Sequence, residues 1–337
     1  MRPDPVRAIA DAVLYEGYLL WPYRRSALKN QQRFTFGGVF APAHSASHPD
    51  DPCRQQTEVL VRGDPVAQLQ VTVRFLHVVA RQAMRREGDA LVAVDELTIG
   101  GRRHLTWSEA TEREVRTPSL SLEELRSSWR QAIEIAAGSA REALTDGADG
   151  TPEAALHRSW QALTGELQLT AVPLADGLWR VTATIENRTS ARPGSRQKAL
   201  EHAFCSTHTI LRTRGGELVS LTDPPVAVAR HAAACRNIGT WPVLVGEPGD
   251  VQTMLSSPII LEDYPRIAPE SPGDLFDGGE IDQLLILNIL TLTDEEKAEM
   301  AASDPRAQEI LRRTEALTPE QLMALHGTIR EVGLERR

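Results

Sequence analysis

The pattern that most constrains the fold of this chain is a pair of alternating runs between residues 165 and 187. Apolar residues occupy every second position of 167–171 and recur through 178–185, and Ala175-Asp176-Gly177 between the runs is a turn signal. The sequence therefore predicts a β-hairpin here. A second hairpin is predicted from 203–212 and 217–221, with its turn at Arg214-Gly215-Gly216. Hairpins that follow one another without crossover helices indicate an antiparallel sheet.

Further strands are predicted in the first third of the chain, where β-branched residues alternate with polar ones. They cover 57–62, 68–80 and 91–99, and residues 104–111 are expected to pair with the last of these. The preceding stretch, 41–56, is rich in Pro, Ser, Asp and His and predicts a surface loop.

Helical signals occur at the start and in the middle of the chain. Residues 4–20 carry apolar side chains at helical spacing. Ser121-Leu122-Glu123-Glu124 is a capping box, which predicts a central helix that runs to about Ala137. Thr151-Pro152, a capping residue followed by proline, predicts the start of a second, shorter helix.

The C-terminal region, 294–333, is predicted to be helical. Capping boxes begin at Thr293 and Thr318, and Asp304-Pro305 separates the helices that they start. The last of these helices has an apolar stripe formed by Leu322, Leu325, Ile329 and Val332. That stripe must pack against the sheet or against another chain, so a homo-oligomer formed through the C-terminal helices is one expectation.

Together these signals predict an α+β fold. Its body is an antiparallel β-sheet-rich, sandwich-like unit, with a central helix and a helical C-terminal segment. We divide it into an N-terminal helix with sheet (1–120), central helices (121–162), a second antiparallel β region with an acidic Pro/Gly loop (163–292) and C-terminal helices (293–337). These parts can also form one continuous domain.

Composition narrows the class of protein. The formal net charge of −9 argues against nucleic-acid binding, which depends on clustered Lys and Arg. Three widely spaced cysteines, Cys53, Cys205 and Cys235, indicate reduced thiols and a cytoplasmic location rather than a disulfide framework. No apolar run approaches the roughly 18 residues that a membrane span requires, so we expect no membrane insertion. The richest run, 281–292, is interrupted by polar residues and predicts a core element.

The heptamer YRRSALK, residues 23–29, imitates a twin-arginine export signal. A signal peptide needs an apolar run of about 7–15 residues after its basic part. Here the polar run KNQQR, residues 29–33, follows instead. The sequence therefore argues against export.

Two sets of Cys and His residues have spacings that suit a metal. The first is formed by Cys205, His208, His231 and Cys235. Two sulfurs and two nitrogens suit Zn²⁺ or Ni²⁺, but positions 205 and 208 of a regular strand point to opposite faces unless the strand is bulged. Buried thiols and polar histidines are the structural alternative. The second set, His44, His48 and Cys53, lies in the proline-rich loop. Its spacing is of a kind that also arises by chance, and a flexible loop pre-organises ligands poorly.

Two segments are candidates for partner binding. The aromatic and basic segment near the N-terminus contains Trp21, Tyr23, Arg24, Arg25, Lys29 and Arg33. The acidic, proline- and glycine-rich segment 261–283 contains Asp274, Phe276, Asp277 and Glu280. Trp, Tyr and Arg are enriched at interaction hot spots, yet core packing, with the arginines facing the acidic loop, explains the same residues. For the acidic segment, the structural alternative is a solvated connection.

No signature in the sequence dictates a reaction. It lacks the Walker A, GxGxxG, HExxH, GxSxG, CxxC and EF-hand patterns. The absence of these patterns argues against a nucleotide-driven enzyme and against a common hydrolase.

Three segments together resemble one protein family. They are LYEGYLLWPYRRSALKNQQRFTFGGVF, then CRNIGTWPVLVG with SSPIILEDYPRIAPESPGDLFDGGEID, and finally ILTLTDEEKAEMAASDPRAQEILRRTEALTPEQLMALHGTIR. The family consists of accessory proteins encoded with high-affinity, actinobacterial-type nickel–iron (NiFe) hydrogenases. The resemblance implies a role in maturing, assembling or partnering a hydrogenase, and it assigns no catalytic residue. It also makes nickel or iron relevant to the Cys/His set.

The leading hypothesis is therefore a non-enzymatic accessory protein that binds a hydrogenase subunit. The alternative is a metal-dependent enzyme or metallochaperone that holds Zn, Ni or Fe through Cys205, His208, His231 and Cys235.

Overall fold

One strand of 34 residues, Arg54–Glu87, organises the sheet in the computed structural model. The structure describes residues 5–16, 18, 23, 33–34, 36–145, 153–175, 177–266 and 282–318. The strands are β1 (Arg54–Glu87), β2 (Ala90–Val94), β3 (Glu96–Ile99), β4 (Arg102–Leu105), β5 (Trp107–Arg116), β6 (Leu120–Ser121), β7 (Trp129–Ile135), β8 (Gly138–Leu144), β9 (Ala154–Trp160), β10 (Leu163–Ala175), β11 (Leu178–Asn187), β12 (Cys205–Val219), β13 (Trp241–Leu244) and β14 (Thr253–Ser257). The helices are α1 (Pro5–Tyr15), α2 (Pro42–Ser45), α3 (Arg196–Leu200), α4 (Ala229–Ala233), α5 (Asp282–Leu290), α6 (Asp294–Ser303) and α7 (Pro305–Glu315).

Strand β1 has different antiparallel neighbours along its length. Its first part pairs with β11, its middle lies between β12 and β5, and its last part pairs with β9 and β2. The main path of the sheet runs β13-β14-β12-β1-β11-β10-β7, so strands of the predicted units 1–120 and 163–292 pair in one sheet. The α+β class with an antiparallel, sheet-rich body and C-terminal helices is confirmed.

The first predicted hairpin is confirmed. Strands β10 and β11 pair antiparallel from Gly165↔Asn187 to Ala175↔Leu178. The alternating apolar residues of both strands, including Leu167, Leu169 and Val181, are buried in the main core cluster. Period-2 alternation buries one face because successive strand side chains point to opposite sides of the sheet.

The second predicted hairpin is wrong. Residues Cys205–Val219 form one strand, β12, which pairs with β1 on both sides of a register shift between Gly63 and Gln68. Gly215 adopts φ +74° opposite this shift, a left-handed conformation that glycine tolerates without steric cost. The glycine pair therefore accommodates a bulge, not a chain reversal.

The predicted central helix, 121–137, is also wrong. The capping box itself forms, since the Ser121 amide donates to Glu124 Oε2 at 2.7 Å and the Glu124 amide donates to Ser121 Oγ at 3.2 Å. It caps one 3₁₀ turn, Glu124–Arg126, after which the chain enters β7 and pairs with β10. Ile133 of β7 is buried while Ala132 and Glu134 are exposed, the alternation expected of a strand. Burial and strand pairing therefore outweigh the local helix signal in this segment.

Several predicted boundaries also change. The predicted strands 57–62 and 68–80 belong to the single strand β1, and 91–99 divides into β2 and β3. The partner of β3 is β4, whereas β5 pairs with β1. Residues Ala154–Trp160 form β9 where a short helix was predicted, while Thr151 and Pro152 lie outside the described residues. The predicted surface loop 41–56 contains the short helix α2 and the start of β1.

The predicted N-terminal helix is confirmed as α1, which buries its apolar stripe of Val6, Ile9, Val13 and Leu14. Three of these residues pack with Val243, Val245 and Leu255 at the β13–β14 end of the sheet. The helix is also tied to the sheet through Arg74 of β1, whose Nη2 lies 2.6 Å from Asp11 Oδ1 and 3.2 Å from Glu112 Oε2.

The C-terminal helices follow their sequence signals as far as the structure describes them. Helix α5 buries Leu285, Ile286 and Ile289, as expected for a core element. The capping box at Thr293 opens α6, and Asp304 caps α7 by accepting from the Arg306 amide. The predicted last helix, with Leu322, Leu325, Ile329 and Val332, lies outside the described residues. None of the described helices is long and apolar enough to cross a membrane.

Replacing Ile133 tests the strand assignment of β7. Ile133→Ala removes a buried side chain from the core, so the free energy of unfolding should fall by about 2–4 kcal/mol. The matched control is Ala132→Val at the neighbouring exposed position, where a β-branched residue suits a strand and the change should stay within about 0.5 kcal/mol. Urea denaturation measures both. Equal destabilisation by the two changes would contradict the strand.

Candidate functional site

Cys205 and His208 are both buried at the start of β12. Cys205 lies opposite Leu76 and His208 opposite Arg74, so β12 has one extra residue between these pairs. The extra residue forms a bulge in which Ser206 adopts φ +51°. On a regular strand Cys205 and His208 would point to opposite faces, and the bulge that would let them share one face is present.

His231 and Cys235 lie elsewhere. They sit at helix α4, where Cys235 packs against a cluster that includes Leu60 and Val219, whereas Cys205 belongs to the cluster around Leu76. The structure does not bring the four residues of the predicted metal set together. Across the described ranges, no group of three or more His, Cys, Asp or Glu side chains is arranged to hold a metal ion.

Burial governs the chemistry of these side chains. It raises the pKa of the Cys205 thiol to about 12 and that of Cys235 to about 11, so both are protonated at neutral pH. Burial, together with the charge of Arg74, lowers the pKa of His208 to about 3. Its Nδ1 lies 3.2 Å from the Ser206 carbonyl oxygen, while its buried Nε2 has no partner among the described residues. This describes a neutral imidazole that donates from Nδ1.

The second His/Cys set does not form a metal site either. His44 and His48 stack with ring centroids 4.1 Å apart, and His44 Nε2 lies 2.9 Å from Asp51 Oδ2. Asp51 also pairs with Arg196 Nε at 3.3 Å. These contacts hold α2 and the loop after it against α3.

The aromatic and basic segment is described only in part. Tyr23 and Arg33 are buried. Arg33 donates from Nε to the Tyr18 carbonyl and from Nη1 to the Ser108 carbonyl, both at 2.7 Å. The other predicted partner-binding residues lie outside the described residues: Trp21, Arg24, Arg25, Lys29, Asp274, Phe276, Asp277 and Glu280.

A surface groove of about 260 Å³ lies where three distant segments meet, and we call it the aromatic groove. Phe36 and Trp241 line it and are 41% and 44% exposed. Large aromatic side chains half open to solvent at a concave surface are typical of interaction sites.

The bulge in β12 positions one side of the aromatic groove. The Ser206 and Thr207 amides donate to the carbonyls of Phe36 and Gly37 at 3.1 and 2.9 Å. Gly37 has φ +57°, and a Cβ there would lie 2.6 Å from Pro258 Cγ, so the close approach needs glycine. Trp241 stands on the other side, at the start of β13, which ends the main path of the sheet.

One lining residue of the aromatic groove, Gln55, has an unsatisfied acceptor. Gln55 is 3% exposed, and its Nε2 donates to the carbonyls of Thr207 at 2.9 Å and Gly239 at 3.2 Å. Its buried Oε1 has no partner in the part of the chain that the structure describes. Because a buried unpaired polar atom costs about 1–3 kcal/mol, a ligand that donates to this oxygen gains that free energy.

The rim of the aromatic groove is charged. Arg196 is committed to Asp51, and its guanidinium carbon also lies 5.5 Å from the Phe40 ring centroid. Arg54 is exposed and makes no ion pair with any described residue. It is the rim cation available to a partner.

Sequence reasoning missed Trp241 and Gln55 as site residues. The two belong to segments separated by more than half of the chain, and no local pattern connects them. A tryptophan in the polar context of Gly239-Thr240-Trp241-Pro242, next to a proline that favours an edge strand, is the signal that the sequence offered.

Comparison of the chain with protein-family models and with curated proteins finds no match.

The titration of His208 gives a stability test. Its pKa is about 3 in the folded protein and about 6.5 when unfolded, so between these values the unfolded chain binds a proton that the folded chain does not. The free energy of unfolding should therefore fall as the pH drops below about 6.5. In His208→Gln, the slope of the unfolding free energy against pH should be smaller by up to about 1.4 kcal/mol per pH unit, which is the contribution of one proton.

The control for this test is Leu211→Val, a buried, non-titrating position of the same strand. It should lower stability at every pH and keep the wild-type slope. Urea denaturation between pH 7 and pH 4 measures all three proteins. A slope for His208→Gln equal to that of the wild type would contradict the assignment.

Proposed function

We propose that this chain is a non-enzymatic accessory protein that binds a subunit of a NiFe hydrogenase through the aromatic groove. The observation that carries the proposal is that half-exposed Phe36 and Trp241 line the same groove as Gln55, whose Oε1 is unsatisfied. The identity of the partner rests on the sequence resemblance described above.

The chemistry of the groove favours a protein partner. Aromatic side chains provide contact area at low cost in conformational entropy, and Trp and Arg are enriched at hot spots. A backbone or side-chain N–H of the partner would donate to Gln55 Oε1, and a carboxylate would pair with Arg54 at the rim. The expected partner surface is therefore an apolar segment with an N–H donor and a nearby acidic group.

The chemistry of Cys205, Cys235 and His208 also favours binding over catalysis at these residues. Cys205 and Cys235 are protonated thiols at neutral pH, because burial raises the pKa of each. The imidazole of His208 is enclosed and neutral. Such groups are poor nucleophiles and poor proton carriers at pH 7.

Removing the two aromatic side chains of the groove tests the proposal. In the double variant Phe36→Ala/Trp241→Ala, binding to the hydrogenase subunits should weaken about 30-fold or more, the effect of losing a hot spot worth about 2 kcal/mol. The measurement is co-purification with tagged hydrogenase subunits, followed by titration calorimetry on the complex that forms.

The control is Val226→Ala, which truncates an apolar residue that is 95% exposed and does not line the groove. It should bind as the wild type does. Undiminished binding by the double variant would reject the groove as the docking site. Absence of any association, with normal hydrogenase activity after deletion of the gene, would reject the function.

A further inference from the structure

A second concave site, which we call the arginine cavity, lies between β5 and helix α3. Its volume is about 710 Å³. Arg33, Trp107 and Ser108 line one side, and Lys198 and Leu200 of α3 line the other. Cavities of this size enclose small organic ligands.

Arg33 brings a buried positive charge to the arginine cavity. The residue is 5% exposed, and its guanidinium carbon lies 4.4 to 4.9 Å from the ring centroids of Trp107, Tyr18 and Phe34. Nε and Nη1 donate to backbone carbonyls, but the buried Nη2 has no hydrogen-bond partner within the described ranges. None of the described carboxylates lies within ion-pair distance of Arg33, although the charge of Asp304 acts on it from further away.

Trp107 supplies a second unsatisfied donor beside the first. Its Nε1 is buried and has no partner in the described part of the chain. The indole ring lies against the guanidinium of Arg33, and both side chains line the same cavity. Two adjacent buried donors without acceptors each carry a desolvation cost, which a bound acceptor would remove.

The cations of the cavity wall differ in whether they have a direct acceptor. Arg81 pairs with Glu109 at 2.7 Å, and Lys198 pairs with Glu201 at 2.7 Å. The carboxylate of Asp304 acts on Arg33 electrostatically, but its oxygens accept from the Tyr18 hydroxyl at 2.5 Å and from the Arg306 amide at 2.9 Å. Arg33 Nη2 is therefore left without a direct acceptor among the described residues, and a bound carboxylate would supply one.

We propose that the arginine cavity binds a small organic monocarboxylate. Its carboxylate would accept from Arg33 Nη2 and Trp107 Nε1, a charge-assisted arrangement in a site removed from water. The apolar part of the ligand would contact Phe34, Val78 and Leu200, which line the same cavity. Inorganic phosphate has no apolar part to make these contacts, so it should bind more weakly. This site is separate from the aromatic groove and does not depend on the hydrogenase proposal.

Titration calorimetry on the full chain tests the site with hexanoate and benzoate as probes, and with hexanamide and inorganic phosphate as comparisons. The wild type should bind both carboxylates, and it should bind the neutral amide and phosphate at least tenfold more weakly. Trp107→Phe keeps a ring over Arg33 and removes the N–H, so it should weaken hexanoate binding about tenfold.

The matched control is Trp160→Phe, because the Trp160 Nε1–H is already satisfied by the Ala136 carbonyl at 3.1 Å and does not line the cavity. It should bind hexanoate as the wild type does, and thermal unfolding confirms that both variants are folded. Three results would each overturn the proposal: no binding of either carboxylate, equal binding of hexanoate and hexanamide, or unchanged hexanoate affinity in Trp107→Phe. Phosphate binding as tight as that of hexanoate would overturn the monocarboxylate assignment.

Discussion

The hydrogen bonding of β1 on both edges is the constraint on which the rest of the structure depends. Six of the described strands pair with its 34 residues, so its backbone groups are satisfied over nearly its whole length. The positions of β2, β5, β6, β9, β11 and β12 are therefore all set by their pairing with β1. The helices occupy the remaining apolar surface, as α1 does over β13 and β14.

The two concave sites follow from the same constraint. The groove lies at the first residues of β1, where Gln55 reaches the carbonyls of Thr207 and Gly239. The cavity lies further along, where β5 pairs with the second half of β1. Helix α3 contributes to both, since Arg196 lines the groove while Lys198 and Leu200 line the cavity. A buried acceptor marks the first site and two buried donors mark the second, so they suit ligands of opposite hydrogen-bonding character.

Much of the fold was predictable where the sequence signal and the long-range pairing agree. The β10–β11 hairpin, α1 and the capped start of α6 are of this kind. The capping box at Ser121 shows the opposite case, because it forms its hydrogen bonds and yet β7 follows within a few residues. A local signal specifies one turn, whereas the pairing of β7 with β10 and the burial of Ile133 decide the segment beyond it.

The sites were harder to predict than the fold. The groove joins Phe36, Gln55 and Trp241 through a bulge at Ser206, and neither the bulge nor the pairing is visible in any short window of sequence. The Cys/His set had suitable residue types, but α4 places His231 and Cys235 in another cluster from Cys205. For Arg33 the sequence left an interior role and a partner-facing role open, and its burial among aromatic rings follows from contacts that no short window of sequence shows.

The most direct test of the central claim, that the groove is a docking surface, is hydrogen–deuterium exchange of the full chain with and without the hydrogenase subunits. The account predicts slower exchange on binding in 36–41 and 237–242, the segments that carry Phe36 and Trp241. It predicts no change in β2 and β8, which lie towards the opposite end of β1. Protection confined to β2 and β8, or a complex with no protection at the groove, would contradict it.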